Sequence, residues 1–410
     1  MKTIFLALAL VFVCGTAAFP APSNTLVIHD TLSKPFSLVN EVAPVEASLK
    51  RFDTRVQTLV DSKVTDEDLQ KADFIVLAGI SGFPKLQPGV LKALEESSKP
   101  VMAIGAAACF ASETPSSNAK ASSPLEKTKL NYRGAEWTLR VDPFYGEPRS
   151  GARVLAAATT FKGTTPLAWK VGNRMAFAAL PTDAPLSMLF SDVLLDFYGV
   201  SQEATPAMVF VIQDYNPSCN PAALRRLVDL FESLKMPFVV TAQMKDVPPG
   251  VEITPRDEFL GGLRYAQAHG GRVFLRGGNG PERVEAFGKE GIRVEGTEDT
   301  PFVASGLEVG NAFVQRIPGE APVPYASAVP LRLPEGGWLL PANVHAGLDG
   351  AANAEILKMI RGISSLRGGL AVVLIPAWMR FQDMMVAVET ARSSSLPVID
   401  PVTRFSVPRS

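Results

Sequence analysis

The sequence predicts an α/β protein of two domains. Its 410 residues are enough for two sizeable cores. Short apolar, β-branched runs alternate with amphipathic helical segments from about residue 24 to 106, and again from about residue 205 onwards. A stretch with mainly β pattern separates the two series, so we place the domains at 24–200 and 205–405. The composition, 47% hydrophobic and 20% charged, is that of a folded globular chain.

The amino-terminal residues 1–18 have the pattern of a secretory signal peptide. Lys2 supplies the positive charge, residues 4–13 form the apolar core, and small residues lead to Ala18. The apolar core is too short for an ordinary transmembrane helix, and no later apolar run reaches about 18 residues. We therefore expect a secreted or periplasmic protein without a transmembrane segment. A formal net charge of −1 gives no indication of a nucleic-acid partner.

The first domain is predicted as a doubly wound parallel sheet followed by β structure. Strands are expected at 25–29, 54–59, 74–78 and 101–106, with helices at 45–52, 65–71 and 88–98. Thr65 is a helix N-cap, and Pro88 lies in the first turn of its helix. This alternation is typical of flavodoxin or amidotransferase folds. Later strands are expected at 132–141, 152–158, 166–171 and 174–180, and a closing helix at 187–198.

Cys109 is the one candidate nucleophile of the first domain, because it follows a predicted strand. The residues before it, Gly105-Ala-Ala-Ala, do not form the tight Gly-x-Cys-x-Gly turn of a nucleophile. The absence of this turn favours a buried structural cysteine. After signal cleavage only Cys109 and Cys219 remain, either as a disulfide or as two buried thiols; the sequence favours the thiols. Neither a dinucleotide fingerprint nor a phosphate-binding loop is present, so we expect no cofactor.

The second domain is predicted to repeat the βα unit. Two apolar runs, AMVFVIQDYNP at 207–217 and AHGGRVFLRGGNG at 268–280, end abruptly in polar, turn-forming residues. Parallel sheets and α/β barrels carry their sites at such carboxyl ends of strands. The other predicted elements are strands at 237–241, 338–341, 370–376 and 397–400 and helices at 220–235, 257–268, 354–365 and 381–393. His269 is interpreted as the residue that ends a helix.

These motifs resemble a secreted branch of the polysaccharide deacetylase-like (NodB-type) family. VIQDYNP resembles its first metal motif, with Gln213-Asp214 in place of an acidic pair. HGG is present at residues 269–271, but Arg276 and Gly280 stand where metal-binding histidines belong, and Ile375 replaces a third histidine. The resemblance implies a flavodoxin/amidotransferase-like domain followed by a distorted (β/α) barrel.

The chemistry of that family is largely missing from the motifs. A deacetylase of this type holds a divalent metal with one carboxylate and two histidines, and the metal activates water. This chain has three histidines in all, His29, His269 and His345, and they do not fall at ligand spacing. We therefore expect no bound metal. Arg276 can instead supply fixed positive charge and pair with Asp214, or it can be an exposed arginine at the loop rim.

The sequence therefore predicts an exported, non-catalytic deacetylase-like protein that binds an envelope polysaccharide or an envelope protein. The vestigial site is Gln213, Asp214 and Arg276. The candidate binding residues lie near predicted strand ends and are Tyr215, Asn279, Trp338, His345 and Trp378. The aromatic side chains among them either stack on sugar rings or pack inside the protein. The alternative function is a carbohydrate-active hydrolase with altered, metal-independent machinery.

Overall fold

A computed structural model describes most of the chain. The residues described are 23–30, 42–52, 54–112, 128–139, 148–160, 163–181, 185–201, 205–243, 253–276, 281–298, 311–313, 316–317, 323–324, 328–332, 338–347 and 350–405. The predicted signal peptide lies outside them, as does Asn279. Within them the protein is a mixed α/β structure, as expected. No helix in these ranges combines the length and apolar character needed to cross a membrane.

The first half of the chain forms one nine-stranded sheet among the described residues. Its order is β2-β1-β3-β4-β9-β8-β7-β5-β6. The elements are β1 Asn24–His29, α1 Ala43–Lys50, β2 Arg55–Val60, α2 Asp66–Lys71, β3 Phe74–Gly79, α3 Pro88–Glu96, β4 Val101–Gly105, β5 Thr128–Tyr132, β6 Ala135–Leu139, β7 Arg153–Thr160, β8 Gly163–Val171, β9 Arg174–Phe177 and α4 Leu186–Phe197. The sheet is parallel from β2 to β9 and antiparallel from β9 to β6.

Helices cover both faces of the parallel part. Leu26 and Ile28 of β1 belong to one core, whereas Val27 between them belongs to another. Successive side chains of a strand point to opposite faces, so this division means that both faces are buried. The local signals for the helices also hold: Thr65 forms a capping box with Asp68, and α3 begins at Pro88.

The predicted strand at 132–141 begins in a turn, because Tyr132 ends β5 and the next strand is β6, Ala135–Leu139. β5 and β6 form a hairpin whose turn is Arg133-Gly134, and both turn residues have positive φ, 47° and 81°. Such a two-residue turn with positive φ at both positions twists in the sense that antiparallel strands require. The β pattern was therefore recognised, but the turn inside it was not.

The second half of the chain forms another nine-stranded sheet among the described residues. Its order is β17-β18-β14-β13-β12-β11-β10-β20-β19. The elements are β10 Ala207–Tyr215, α5 Pro221–Ser233, β11 Phe238–Ala242, α6 Arg256–Ala268, β12 Gly271–Arg276, α7 Pro281–Lys289, β13 Val294–Glu298, β14 Asn311–Phe313, β15 Arg316–Ile317, β16 Val323–Pro324, β17 Leu331–Arg332, β18 Trp338–Leu340, β19 Val344–His345, α8 Gly350–Ser364, β20 Leu370–Pro376, α9 Phe381–Arg392 and α10 Pro401–Arg404.

Every described pair in the second sheet is parallel except β17 with β18. Within the described residues β18 and β19 do not pair, so a closed barrel is not present there. The expected strand at 397–400 is reduced to a single bridge between Met208 and Val398. His269 ends α6 as predicted, and Gly270 after it has φ +84°.

The two halves meet through α4 and the segment after α8. Asp192 of α4, 1% exposed, accepts hydrogen bonds from the Tyr132 hydroxyl and the Arg367 side chain and lies 3.1 Å from Arg133 Nε. Arg367 also lies 2.7 Å from Asp196. Burial by itself would lower the pKa of Arg367, but the hydrogen bonds to the two aspartates raise it. The buried Asp192 carboxylate therefore joins Tyr132 of the first half to Arg367 of the second half.

Candidate functional site

The carboxyl end of β10 departs from regular strand geometry at Asp214. The register between β10 and β11 shifts between Ile212 and Tyr215, and Asp214 has φ +63°. Aspartate tolerates this left-handed region better than most residues, although it still costs energy. The Asp214 N–H donates to Thr241 Oγ1 at 3.1 Å, and its carbonyl accepts from the Asn216 amide at 2.9 Å. These bonds hold the bulge and turn the carboxylate toward the strand ends.

Asp214 and Arg276 are in direct contact. The carboxylate Oδ1 of Asp214 forms an ion pair with Arg276 Nη1, and their side chains are 29% and 21% exposed. Arg276 is the last residue of β12, so its side chain passes the end of β11 to reach β10. The alternative of an exposed rim arginine does not describe this side chain. A partly buried guanidinium paired with a carboxylate avoids the cost of an isolated buried charge.

A second carboxyl group, that of Glu298, completes the cluster. Glu298 ends β13 and stands opposite Arg276 in the strand register. It is 1% exposed, and its Oε1 accepts a hydrogen bond from the Gln213 side-chain amide and lies 3.9 Å from Arg276 Nη1. We call Gln213, Asp214, Arg276 and Glu298 the strand-end cluster. It brings together side chains from three strands at the edge where parallel α/β sheets place their sites.

Sequence reasoning missed Glu298 because it missed β13. The segment Val294–Glu298 contains a glycine and two glutamates, so its apolar pattern is weak. Gly296 is required there, since a Cβ at this position would lie 2.3 Å from the Phe274 ring. The usable signal was position: a short segment after an amphipathic helix, ending in Glu298-Asp299, repeats the strand-then-acid pattern of β10.

Tyr215 does not reach the site; it packs inside the protein, one of the two alternatives given for the aromatic candidates. It is 1% exposed, stacks on Phe259 with ring centroids 5.0 Å apart, and donates to the Phe259 carbonyl at 3.4 Å. The bulge at Asp214 shifts the alternation of β10 by one position, so Tyr215 turns toward α6 and not toward the strand ends. Its ring therefore offers no face to a sugar.

The remaining candidate binding residues differ in their exposure and in what they contact. Trp338 begins β18 level with Gly296 of β13, and its ring packs against Phe405. His345 ends β19 beside Leu374 and is exposed; surrounding protein atoms nevertheless disfavour its charged form and lower its pKa. Trp378 follows β20 and is 60% exposed. Of these three, His345 and Trp378 are exposed, whereas Trp338 is half-buried.

The metal positions of the family hold no ligand set in the described part of the chain. No group of three or more histidine, cysteine, aspartate or glutamate side chains is arranged there to bind a metal. Ile375 is fully buried in β20, and Arg276 forms the ion pair described above. Gly280 lies outside the described residues. A guanidinium between two carboxyl groups can hold charge and donate hydrogen bonds, but it cannot coordinate a cation.

At the carboxyl ends of β1 and β4 in the first sheet, the polar groups and the space are taken up by contacts within the protein. Asp30, directly after β1, accepts backbone N–H groups from residues 80, 81 and 82 at 2.6–3.0 Å. Gly105 ends β4 with φ +62° and ψ −131°, and a Cβ there would lie 2.5 Å from the Gly79 carbonyl oxygen. An amidotransferase-type nucleophile would stand on the turn that follows such a strand, whereas the residues after Gly105 form a 3₁₀ helix that contains Cys109.

The two cysteines are free thiols, so the disulfide alternative does not describe this structure. Cys109 lies in the short 3₁₀ helix Ala106–Ala111 and donates to the Ala106 carbonyl at 3.3 Å. Burial raises the pKa of the Cys109 thiol, and burial likewise raises that of Cys219. A raised pKa lowers the thiolate fraction, which is the opposite of what a nucleophile needs.

Comparison with known proteins leaves the chain without a family. Neither a family model nor a curated protein matches it. Among solved structures, a ThuA-like protein from Bacteroides uniformis is similar at 14% identity with a TM-score of 0.30, over 39% of this chain and 83% of that chain. A likeness this distant supports no conclusion about fold or function, so the function must be inferred from the site itself.

Proposed function

We propose that the second half of the protein is an incomplete, distorted (β/α) barrel of the polysaccharide deacetylase type that has lost catalysis. In support, strands β10, β11, β12, β13, β14 and β18 are neighbours in chain order, and β20 returns to β10. Val209, Phe274 and Val372 pack together on one face of the sheet, as residues inside a barrel do. The strand-end cluster then stands at the barrel mouth, where such proteins act on ligands.

The proposed activity is binding to a polysaccharide or protein of the cell envelope. The signal-peptide pattern of residues 1–18 favours an exported protein. The observation that carries the proposal is Trp378, an aromatic side chain left 60% exposed at the carboxyl end of β20. The neighbouring Ala377 N–H donates to the Gln213 carbonyl at 2.7 Å, which ties this turn to the strand-end cluster. An exposed indole suits stacking on the apolar face of a sugar ring.

A sedimentation assay with purified, insoluble envelope polysaccharides tests this proposal. We expect the protein to be retained and Trp378→Ala to bind about three- to tenfold more weakly, because it loses the stacking surface. Val154→Ala is the matched control, since Val154 is an exposed apolar residue of the first sheet at 47% exposure. Failure of any polysaccharide to retain the protein, or equal retention of Trp378→Ala, would reject sugar binding at this rim.

A metal-independent hydrolase is the second candidate, and Glu298 is the observation that favours it. Glu298 is almost fully buried whereas Asp214 is partly exposed, and carboxyl groups in different environments can divide acid and base roles. Acetate release from acetylated polysaccharides, measured after dialysis against a chelator, distinguishes the two functions. Release that disappears in Glu298→Gln would favour the hydrolase, whereas no release would favour binding alone.

A further inference from the structure

One edge of the first sheet faces a cleft beside the second half of the chain. β6 pairs with β5 through five residue pairs, and no other described strand pairs with β6. A cleft of about 510 Å³ lies there, within the size range of ligand sites. It is lined by Glu136, Trp137, Thr138, Pro185, Glu355, Lys358 and Met359.

The cleft runs along the strand and not across one face of the sheet. Residues 136, 137 and 138 are successive in β6, so their side chains point alternately to the two faces. A cleft that contacts all three must therefore follow the strand edge. The other wall is α8, whose residues 355, 358 and 359 lie on one side of the helix. A groove between a strand edge and a helix has the shape that receives an extended peptide.

Two contacts fix the width of the groove. Lys358 Nζ donates to Thr138 Oγ1 at 2.7 Å, which joins α8 to β6. The Trp137 ring packs on Gly362, where a Cβ would lie 2.6 Å from the ring. The indole N–H of Trp137, a residue only 3% exposed, has no hydrogen-bond acceptor in the described structure. That nitrogen is enclosed by protein atoms, so docking in the groove does not depend on it.

The charges of the groove favour a basic ligand. Glu136 and Glu355 stand on opposite walls and both are exposed. Glu136 also forms an exposed ion pair with Lys129 at 3.1 Å, which is too weak to exclude a competing cation. Among the described residues that line the groove, the cation is Lys358, and its ammonium donates to Thr138. A cationic side chain placed between the walls therefore meets two carboxylates.

We propose that an extended peptide segment carrying a basic side chain docks in this groove by adding a strand to β6. Its main chain pairs with the edge of β6, and its basic side chain lies between Glu136 and Glu355. Main-chain pairing supplies affinity and the carboxylates supply selectivity. The partner is thus a protein with an exposed basic strand or tail, and this docking is independent of sugar binding at Trp378.

The test uses the full chain and blocked heptapeptide pools whose central residue is fixed as Arg, Ala or Glu. We expect the Arg pool to bind at least about tenfold more tightly than the Glu pool in fluorescence polarisation. At about ten times the dissociation constant, the amides of β6 that point away from β5 should exchange about tenfold more slowly. The double variant Glu136→Lys/Glu355→Lys should lose the Arg preference. The control Glu282→Lys/Glu285→Lys, on the exposed face of α7, should keep it.

Four results overturn the proposal. The first is that no pool binds at about 1 mM peptide, and the second is that the Arg and Glu pools bind equally. The third is that the exchange of β6 amides does not change when peptide is bound. The fourth is that the groove double variant and the control double variant show the same preference for the Arg pool. All four substituted glutamates are exposed, so thermal unfolding should show both double variants folded. Trp378→Ala should leave every one of these readouts unchanged, which separates this proposal from polysaccharide binding.

Discussion

The two sheets use the carboxyl ends of their parallel strands in different ways. In the first sheet, Asp30 is 5% exposed and its oxygens accept backbone N–H groups, and Gly105 is enclosed by backbone. In the second sheet, Asp214 and Arg276 remain partly exposed and pair through their side chains. Both sheets have an aspartate at the carboxyl end of an interior parallel strand. A carboxylate whose oxygens are occupied by backbone N–H groups stabilises a loop, whereas one paired with a side chain stays open to a ligand.

Gly105→Ala should give the largest loss of stability. The new Cβ would lie 2.5 Å from the Gly79 carbonyl oxygen, and φ is +62°. We expect the free energy of unfolding to fall by about 3–5 kcal/mol in urea denaturation. Gly134→Ala is the control, because Gly134 also has positive φ but has open space around it; it should cost about 1–2 kcal/mol. Equal losses in the two variants would mean that the strand end at Gly105 is not tightly enclosed.

Asp30→Ala should rank second. Its carboxylate accepts three backbone N–H groups and the Ser81 hydroxyl, and these donors lose their acceptor in the variant. We expect a loss of about 2–4 kcal/mol in the same denaturation experiment. Asp257→Ala, at an exposed position in the first turn of α6, should cost no more than about 0.5 kcal/mol. A loss for Asp30→Ala as small as that of Asp257→Ala would contradict the structural role.

The Asp214–Arg276 pair should show coupling. Because both side chains are partly buried, we expect Asp214→Asn and Arg276→Met alone each to cost about 1–3 kcal/mol. Asparagine retains the tolerance for positive φ at residue 214, so the loss reports the charge and not the backbone. The double variant should recover part of the summed loss. Strictly additive losses would show that the ion pair contributes no coupling energy.

The thiols should give the smallest effect, a change in reactivity without a change in stability. Burial raises the pKa of Cys109, so at a given pH less of it is thiolate than in a free cysteine. Alkylation of Cys109 by iodoacetamide at pH 8 should be at least about tenfold slower than alkylation of free cysteine. The pH at which the alkylation rate is half-maximal should also be higher than for free cysteine. The control is the same reaction in urea, where both thiols should react at the normal rate. Fast alkylation of native Cys109 would restore the nucleophile interpretation.

Local patterns determined the secondary structure and the approximate place of the site. Apolar runs bounded by turn residues located β1, β3, β4, β10, β12 and β20, because strands covered on both faces are commonly continuous apolar runs. The same reasoning located the polar residues at the ends of β10 and β12, including Asp214 and Arg276. The direction of the strands was thus enough to predict which edge of the second sheet carries Asp214 and Arg276.

Only the tertiary structure decided which side chains meet. The bulge at Asp214 depends on pairing between β10 and β11, and it turned Tyr215 into the interior. Glu298 lies in the cluster because β13 pairs with β12 in a register that sets it opposite Arg276. The sequence of the five-residue strand β13 does not reveal that register. Likewise, the groove beside β6 exists because α8, more than 200 residues later, packs on Trp137. Such contacts depend on register and on long-range packing, and periodicity within one segment carries no information about either.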